Sequence, residues 1–353
     1  MVQDLLTTLR CLRALSLSGY SIKKLPDSIG DCRSLRYLNL SFSSIKILPK
    51  SVGHLYNLQA LILHNCHQLI EVPKATGNLI NLRHLDLTNT PELKVMPPQI
   101  GNLINLQTLS KFIVGKDERS GIQELKHLSD LREKIYILGL HNVVNIRDAM
   151  DANLKHKHNI EELIMEWSNN FGDSRIEWNE MPVLELLQPH GNLKKLTVAF
   201  YGGTNFPSWM GDPSFSTMVS LTLKDCRMCT SLPSLRQLSS LKELCIEGMS
   251  EIKTIGAEFY GKVSLSVKPF LSLVSLIFGD MTEWEEWCFS NVVEEVELFS
   301  HLQELTLRNC PKLIKQLPDC LPSLLKLNIF KCPKLADPLE RFPCLGHLHL
   351  TEM

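Results

Sequence analysis

An α/β repeat solenoid, with a parallel concave sheet and short irregular or helical convex segments, is the fold class this sequence predicts, on three observations. An apolar triplet LxxLxL recurs as Leu12, Leu15 and Leu17, then Leu35, Leu38 and Leu40, then Leu58, Leu61 and Leu63, then Leu82, Leu85 and Leu87. Its period is 23 to 24 residues, as in leucine-rich repeats. At 353 residues the chain exceeds the size at which one compact core stops growing, which leaves two globular domains or a repeat array. The periodic leucines decide for the array, a leucine-rich-repeat horseshoe.

Alternation in each LxL segment puts two leucines on the buried side of a short strand and the residue between them on the open side. The first repeats carry a second apolar ridge, Ile22, Leu25 and Ile29, then Ile45, Leu48 and Val52. Pro26 and Pro49 interrupt it, so sheet growth stops there and short helical or irregular turns follow on the convex side. A divergent repeat follows at Leu106 and Leu109 and another around Ile135 and Ile137. Asp148 to Lys157, containing Ala149, Ala152 and Asn153, reads as an uncapped, charged helix packed on the convex side.

Substituted triplets then resume: Ile160, Leu163 and Met165; Leu193, Leu196 and Val198; Leu221 and Leu223; Leu241, Leu244 and Ile246; Leu273, Leu276 and Phe278. Three more lie at Leu302, Leu305 and Leu307, at Leu324, Leu327 and Ile329, and at Leu345, Leu348 and Leu350. About 14 rungs spaced ~4.8 Å apart give an inner arc of roughly 65 Å. The period breaks again from Gly279 to Phe299, where Trp284 and Trp287 sit among Glu283, Glu285, Glu286, Glu294, Glu295 and Glu297. The organisation read from this is 1–110 regular N-terminal repeats, 111–159 a divergent repeat with a helical embellishment, and 160–353 irregular C-terminal repeats.

Hydrophobic residues at 44% and charged residues at 21% suit a soluble folded chain. A formal net charge of -1 offers no global field for nucleic acid or an anionic membrane. Eleven cysteines, an odd number without paired spacing, fit a reducing compartment. Cys66, Cys226, Cys310 and Cys332 each fall three residues after the last apolar residue of a triplet, a slot that takes a small buried side chain. The CxxC formed by Cys226 and Cys229 is therefore read as structural. No apolar run approaches the roughly 18 residues of a membrane span, and Met1 to Arg10 does not resemble a signal peptide. The expected location is the cytoplasm, with the nucleus as a second compartment. The sequon Asn39-Leu40-Ser41 falls in a predicted strand and is discounted.

Several blocks carry a resemblance. LRALSLSGYSIKKLPDS from Leu12, SLRYLNLSFSSIKILPKSVGHLYNLQAL from Ser34, LINLRHLDLTNT from Leu79 and VMPPQIGNLINLQTLSKFIVG from Val95 read as successive opening repeats. FPSWMGDP from Phe206, LPSLRQLSSLKELCIEGM from Leu232, IGAEFYG from Ile255 and EWEEW from Glu283 follow in order. The chain resembles the repeat region of plant nucleotide-binding, leucine-rich-repeat resistance proteins of the coiled-coil type, over nearly its whole length. That resemblance implies an upstream nucleotide-binding switch, and ATP or ADP is expected only there. Here Gly115-Lys116 is followed by Asp117, so no GxxxxGK[ST] phosphate loop is present and no cofactor is expected in this chain. The chain begins within an apparent repeat and ends just after another without a polar cap, which reads as a fragment or truncated product.

No residues are spaced as a catalytic set. His156 and His158 fall on different faces of the predicted helix, while His347 and His349 share a strand face without an evident third ligand, so no metal is expected. Recognition is the better reading. Arg13, Arg36 and Arg83 occupy one repeat position, with Gln59 and Gln107 in the same column. The column is either a solvated edge or a docking surface for an acidic partner. Resemblance names the receptor's own nucleotide-binding module as that partner. Tyr37, Asn39, Ile62, His64, His84 and Asp86 are expected to line the concave face nearby. Trp284 and Trp287 either pack their inserted loop or stand out as a binding anchor.

The expected function is a non-catalytic recognition and autoregulatory domain of an intracellular plant immune receptor. It would sense a pathogen effector or a modified host (guardee) protein, with no nucleic acid partner. The alternative is a general intracellular scaffold or a ubiquitin-ligase substrate adaptor.

Overall fold

A computed structural model describes residues 6, 8–117, 119–171, 177–260, 270–288, 298–314, 317–318, 321–335 and 342–352. The chain divides into two compact units, Met1–Leu163 and Ile164–Met353.

In the first unit β1 (Ala14–Ser16), β2 (Tyr37–Asn39), β3 (Ala60–Ile62), β4 (His84–Asp86) and β5 (Thr108–Leu109) form a five-stranded parallel sheet in chain order. Leu15, Leu38, Leu61, Leu85 and Leu109 stand in register along it. Each strand is short because the backbone turns left-handed soon after it, at Gly19, Phe42, Asn65 and Asn89. The following residue then points inward: Ser43, Cys66 and Thr90 are buried. Cys66 Sγ donates to Leu40 O at 3.2 Å and Thr90 Oγ1 to Leu87 O at 2.7 Å. The triplet leucines Leu35, Leu38, Leu40, Leu58, Leu61 and Leu63 have no exposed surface, each worth about 2 kcal/mol of burial.

On the convex side Pro26, Pro49 and Pro73 precede 3-10 helices at Asp27–Asp31, Lys50–His54 and Lys74–Asn78, and Gln99 precedes a fourth at Ile100–Asn102. These are the short turns the prolines predict. They stack closely: a Cβ on Gly53 would stand 2.3 Å from Ala75 Cβ. A ladder of amides closes the side leading into the strands. Asn57, Asn81 and Asn105 donate through Nδ2 to Arg33 O, Tyr56 O and Ile80 O, at 2.9, 2.7 and 2.8 Å.

Beyond Leu109, β6 (Lys111–Ile113) pairs in parallel with β7 (Arg132–Leu138). The helix expected over Asp148 to Lys157 is α1 (Ile146–Asp151), shorter and displaced toward the N-terminus. It is also capped, since the Asn145 side chain accepts from Arg147 N at 3.1 Å. Asn153, with φ 55, ends it, and a 3-10 turn follows at Leu154–His156. Ala149 and Ala152 are buried, but so is Lys157, only 2% exposed. Its Nζ donates to Leu125 O and Leu128 O, both at 2.8 Å, and burial pushes its pKa down to about 8. β8 (Asn159–Glu166) spans the division between units.

The second unit contains α2 (Glu177–Leu186). Its main strands are β9 (Lys195–Ala199), β10 (Ser220–Lys224), β11 (Glu243–Glu247), β13 (Ser275–Gly279), β15 (Glu304–Arg308), β16 (Lys326–Phe330) and β17 (His347–Thr351), each pairing in parallel with the next. The left-handed position recurs at Phe200, Asp225, Gly248, Asp280, Asn309 and Lys331. Fully buried Tyr201, Cys226, Met249, Met281, Cys310 and Cys332 follow it.

Away from this sheet, β12 (Thr254–Ile255) and β14 (Glu286–Trp287) form a separate parallel pair, and α3 (Ala257–Tyr260) follows β12. The pair joins the IGAEFYG and EWEEW blocks of the sequence. Trp287 Nε1 donates to Tyr260 Oη. Phe278 lies 4.9 Å from Trp284 and 5.2 Å from Trp287 by ring centroids, and Phe259, Phe270 and Phe299 complete the aromatic core.

Candidate recognition surfaces

The arginine column is fixed by backbone bonding. Arg13 O accepts from Arg36 N and Tyr37 N at 2.7 and 3.1 Å, and Arg36 O accepts from Gln59 N and Ala60 N. Gln59 O accepts from Arg83 N and His84 N, and Arg83 O from Gln107 N and Thr108 N. One carbonyl thus serves two amides at every step, which locks the column to one residue per rung. Arg13, Arg36 and Arg83 are exposed, while Gln59 and Gln107 are half-buried. Gln107 Oε1 accepts from Arg132. Among the described residues, no ion pair or hydrogen bond engages the three guanidinium groups. Only Arg13 and Arg36 are immediate neighbours, because Gln59 separates Arg36 from Arg83.

The open-face residues named from the sequence do come together. Tyr37, Ala60, His84 and Thr108 form one row, and Asn39, Ile62 and Asp86 the next. Asn39 Nδ2 donates to Tyr37 Oη at 3.2 Å, and its Oδ1 accepts from Ser41 N and Oγ. His84 Nδ1 shares a hydrogen bond with Thr108 Oγ1 at 3.0 Å, Asp86 Oδ1 accepts from Thr88 N, and His64 Nε2 pairs with Asn65 Nδ2 at 2.7 Å. Most of these polar groups are thus held in place by their neighbours. Phe42, 57% exposed, packs edge-on against His64 at 5.5 Å and belongs to the same surface. Sequence reading passed over it. Its signal was a phenylalanine in a column that otherwise holds Gly19, Asn65 and Asn89.

A second charged centre, also missed, lies on the sheet of the second unit. Arg308 Nη2 reaches Glu247 Oε1 at 2.9 Å and Asp280 Oδ2 at 3.1 Å, and Asn309 Nδ2 donates to Asp280 Oδ1 at 2.9 Å. Glu247, Gly279 and Arg308 are consecutive in register, so the pair spans the rung occupied by glycine. Nearby Cys245 is half-buried, and burial followed by the Glu247 charge pushes its thiol up to about 11. It is therefore protonated at neutral pH and a poor nucleophile.

Trp284 and Trp287 are buried at 0% and 2% exposure, so the anchor reading of these two residues is corrected to packing. Trp284 Nε1 donates to Glu286 O at 2.9 Å, which satisfies its polar edge inside the core. The acidic stretch around them is partly neutralised: Glu283 pairs with Lys312 at 2.5 Å, raising the lysine pKa, and Glu304 pairs with Lys326 at 2.7 Å. Glu294, Glu295 and Glu297 lie outside the described residues. Cys229 Sγ donates to Gly203 O at 3.1 Å, and burial drives its pKa far up, as suits a structural thiol. The net charge of -1 conceals a division: the first unit carries 20 Lys and Arg against 15 Asp and Glu, a balance of +5, and the second 17 against 23, a balance of -6. No helix among the described residues is long and apolar enough to cross a membrane.

With this geometry in hand, the family described as R13L1/DRL21 LRRs matches residues 122–249. A putative disease resistance protein of Arabidopsis thaliana is 41% identical over 342 residues, 94% of this chain and 24% of the relative. Disease resistance protein RGA2 of Solanum bulbocastanum is 42% identical over 344 residues, 96% of this chain and 34% of the relative. Putative disease resistance RPP13-like protein 1 of Arabidopsis thaliana is 43% identical over 232 residues, 63% of this chain and 22% of the relative. The chain therefore spans between about a fifth and a third of the length of these relatives. Among solved structures, an internalin of Listeria monocytogenes aligns with a TM-score of 0.58 and 17% identity, covering 98% of this chain and 88% of that one, which speaks for the fold alone. By sequence and by fold, the chain is a leucine-rich-repeat array similar to the repeat region of plant disease resistance proteins.

Proposed function

We propose that this array is a non-catalytic recognition and regulatory domain of an intracellular immune receptor. Its first repeats hold a nucleotide-binding module of the same receptor at rest. Contact with a pathogen effector, or with a host protein altered by one, releases that hold. The observation that carries the reading is the column of Arg13, Arg36 and Arg83, exposed and without ion-pair partners among the described residues, beside a hydrogen-bonded mixed face. An acidic partner surface would relieve the repulsion between stacked guanidinium groups and gain charge-assisted hydrogen bonds. Similarity to disease resistance proteins supports the biological setting.

The test is co-precipitation of this chain, expressed in plant cells, with a matching nucleotide-binding module supplied as a separate polypeptide, with and without Arg13→Glu, Arg36→Glu and Arg83→Glu. Association that disappears on reversal, with loss of the resting state in a full-length receptor, is the expected result. Unchanged association and an unchanged resting state would overturn it.

A further inference from the structure

A cavity of about 760 Å³ opens on the first unit where Lys74, the segment around Met96 and Pro98, and the loop holding Lys116 and Arg119 meet. Among the described residues, three cationic side chains from two stretches line it, Lys74 from one and Lys116 and Arg119 from the other, against one carboxylate, Asp117. Among the described residues, none of the three cationic groups is engaged by an ion pair or hydrogen bond. Glu118 lies outside the described residues. The loop is held by backbone bonds, two of its own and one from outside it: Gly115 N donates to Ser120 O at 2.8 Å, Ser120 N to Asp117 O at 3.0 Å, and Gln99 N to Arg119 O at 3.3 Å. Lys116 and Arg119 are thus carried by a bonded turn. Val95, Met96 and Pro98 supply an apolar wall beside the charges.

We propose that this cavity binds a phosphorylated small molecule with a ring or other apolar body. A phosphate offers three terminal oxygens for three cations, whereas a single arginine fork already satisfies a carboxylate. The volume lies in the ordinary range for a small-molecule site, and the wall of Val95, Met96 and Pro98 receives the uncharged part. This site differs in kind from a GxxxxGK[ST] loop: Gly115-Lys116 contributes here as part of a cationic turn.

The experiment is calorimetric titration of the full chain with phenyl phosphate, inorganic phosphate and benzoate. Phenyl phosphate should saturate one site and bind at least about tenfold more tightly than either comparator. Lys74→Gln, Lys116→Gln and Arg119→Gln combined should weaken it by about tenfold or more, while Lys23→Gln, Lys24→Gln and Lys46→Gln, outside the cavity, should change it less than about twofold. Lys116→Gln alone provides the weaker, safer variant, and melting curves confirm folding of each. Absence of saturation, or equal weakening by both triple variants, overturns the site in favour of the general positive field of the unit. Equal affinity for inorganic phosphate or for benzoate overturns the proposed ligand, the first by removing the apolar contribution and the second by removing that of the phosphate.

Discussion

Arg308 bonds Glu247 across the rung of Gly279, bridging two strands that do not pair with each other. A Cβ on Gly279 would lie 3.2 Å from Glu247 Cγ and 3.5 Å from Arg308 Nη2, so a larger side chain there must push the pair apart. Both partners retain solvent contact, which limits what the pair contributes to stability. Gly279→Leu should therefore destroy the pairing, and Arg308→Ala should lower unfolding stability by only about 0.5 kcal/mol in urea titration. A loss above ~2 kcal/mol would mean that the bridge holds the rungs together.

Buried Lys157 makes a pH prediction. Between about pH 8, its folded value, and the ordinary lysine value near 10.4, the unfolded chain keeps a proton that the folded chain has released. Stability from this group is thus least below pH 8 and rises with pH through that window, by about 3 kcal/mol at most. Lys157→Met should flatten the rise relative to the parent chain when unfolding is measured from pH 7 to 10.5. Parallel curves would exclude the lysine as its source.

The Trp287–Tyr260 contact should matter to folding and little to recognition. Tyr260→Phe leaves a buried indole N–H without its acceptor, at about 1–3 kcal/mol. Trp287→Ala should cost about 3–5 kcal/mol through the cavity it opens. Denaturant unfolding checks both. If Trp287→Phe weakened partner binding by more than about tenfold without destabilising the chain, a contact role for the tryptophan would be restored.

Phe42 sits at φ 59, where Asn65 and Asn89 occupy equivalent places. Left-handed backbone is costly for a bulky residue, so Phe42→Asn should stabilise the unit by about 0.5–1 kcal/mol despite losing the ring contact with His64. Thermal melting gives the sign directly. Destabilisation would show that the Phe42–His64 contact outweighs the strain.

The leucine period was enough to place β1 to β4 and the buried slots at Cys66, Cys226, Cys310 and Cys332, because both follow from a repeating backbone. It also grouped Tyr37, Asn39, Ile62, His64, His84 and Asp86, since residues at equal phase share a face. What escaped was set by contacts distant in sequence. Lys157 ends the charged helix expected over Asp148 to Lys157, and only the fold brings Leu125 O and Leu128 O to its Nζ. Tyr260 and Trp287 meet through a strand pair outside the repeat, and Arg308 meets Glu247 only because Gly279 stands between them. Asn145 could have been read as a cap from its place just before the helix.

The asparagine ladder bears on how such genes change length. Asn57, Asn81 and Asn105 each bind a carbonyl one repeat back, 24 or 25 residues earlier, and nothing further away is required of them. An unequal crossover that inserts or deletes one whole repeat therefore hands every asparagine an equivalent acceptor. Insertion or deletion of one whole repeat would thus preserve the hydrogen-bond pattern while changing the number of outward positions the array presents.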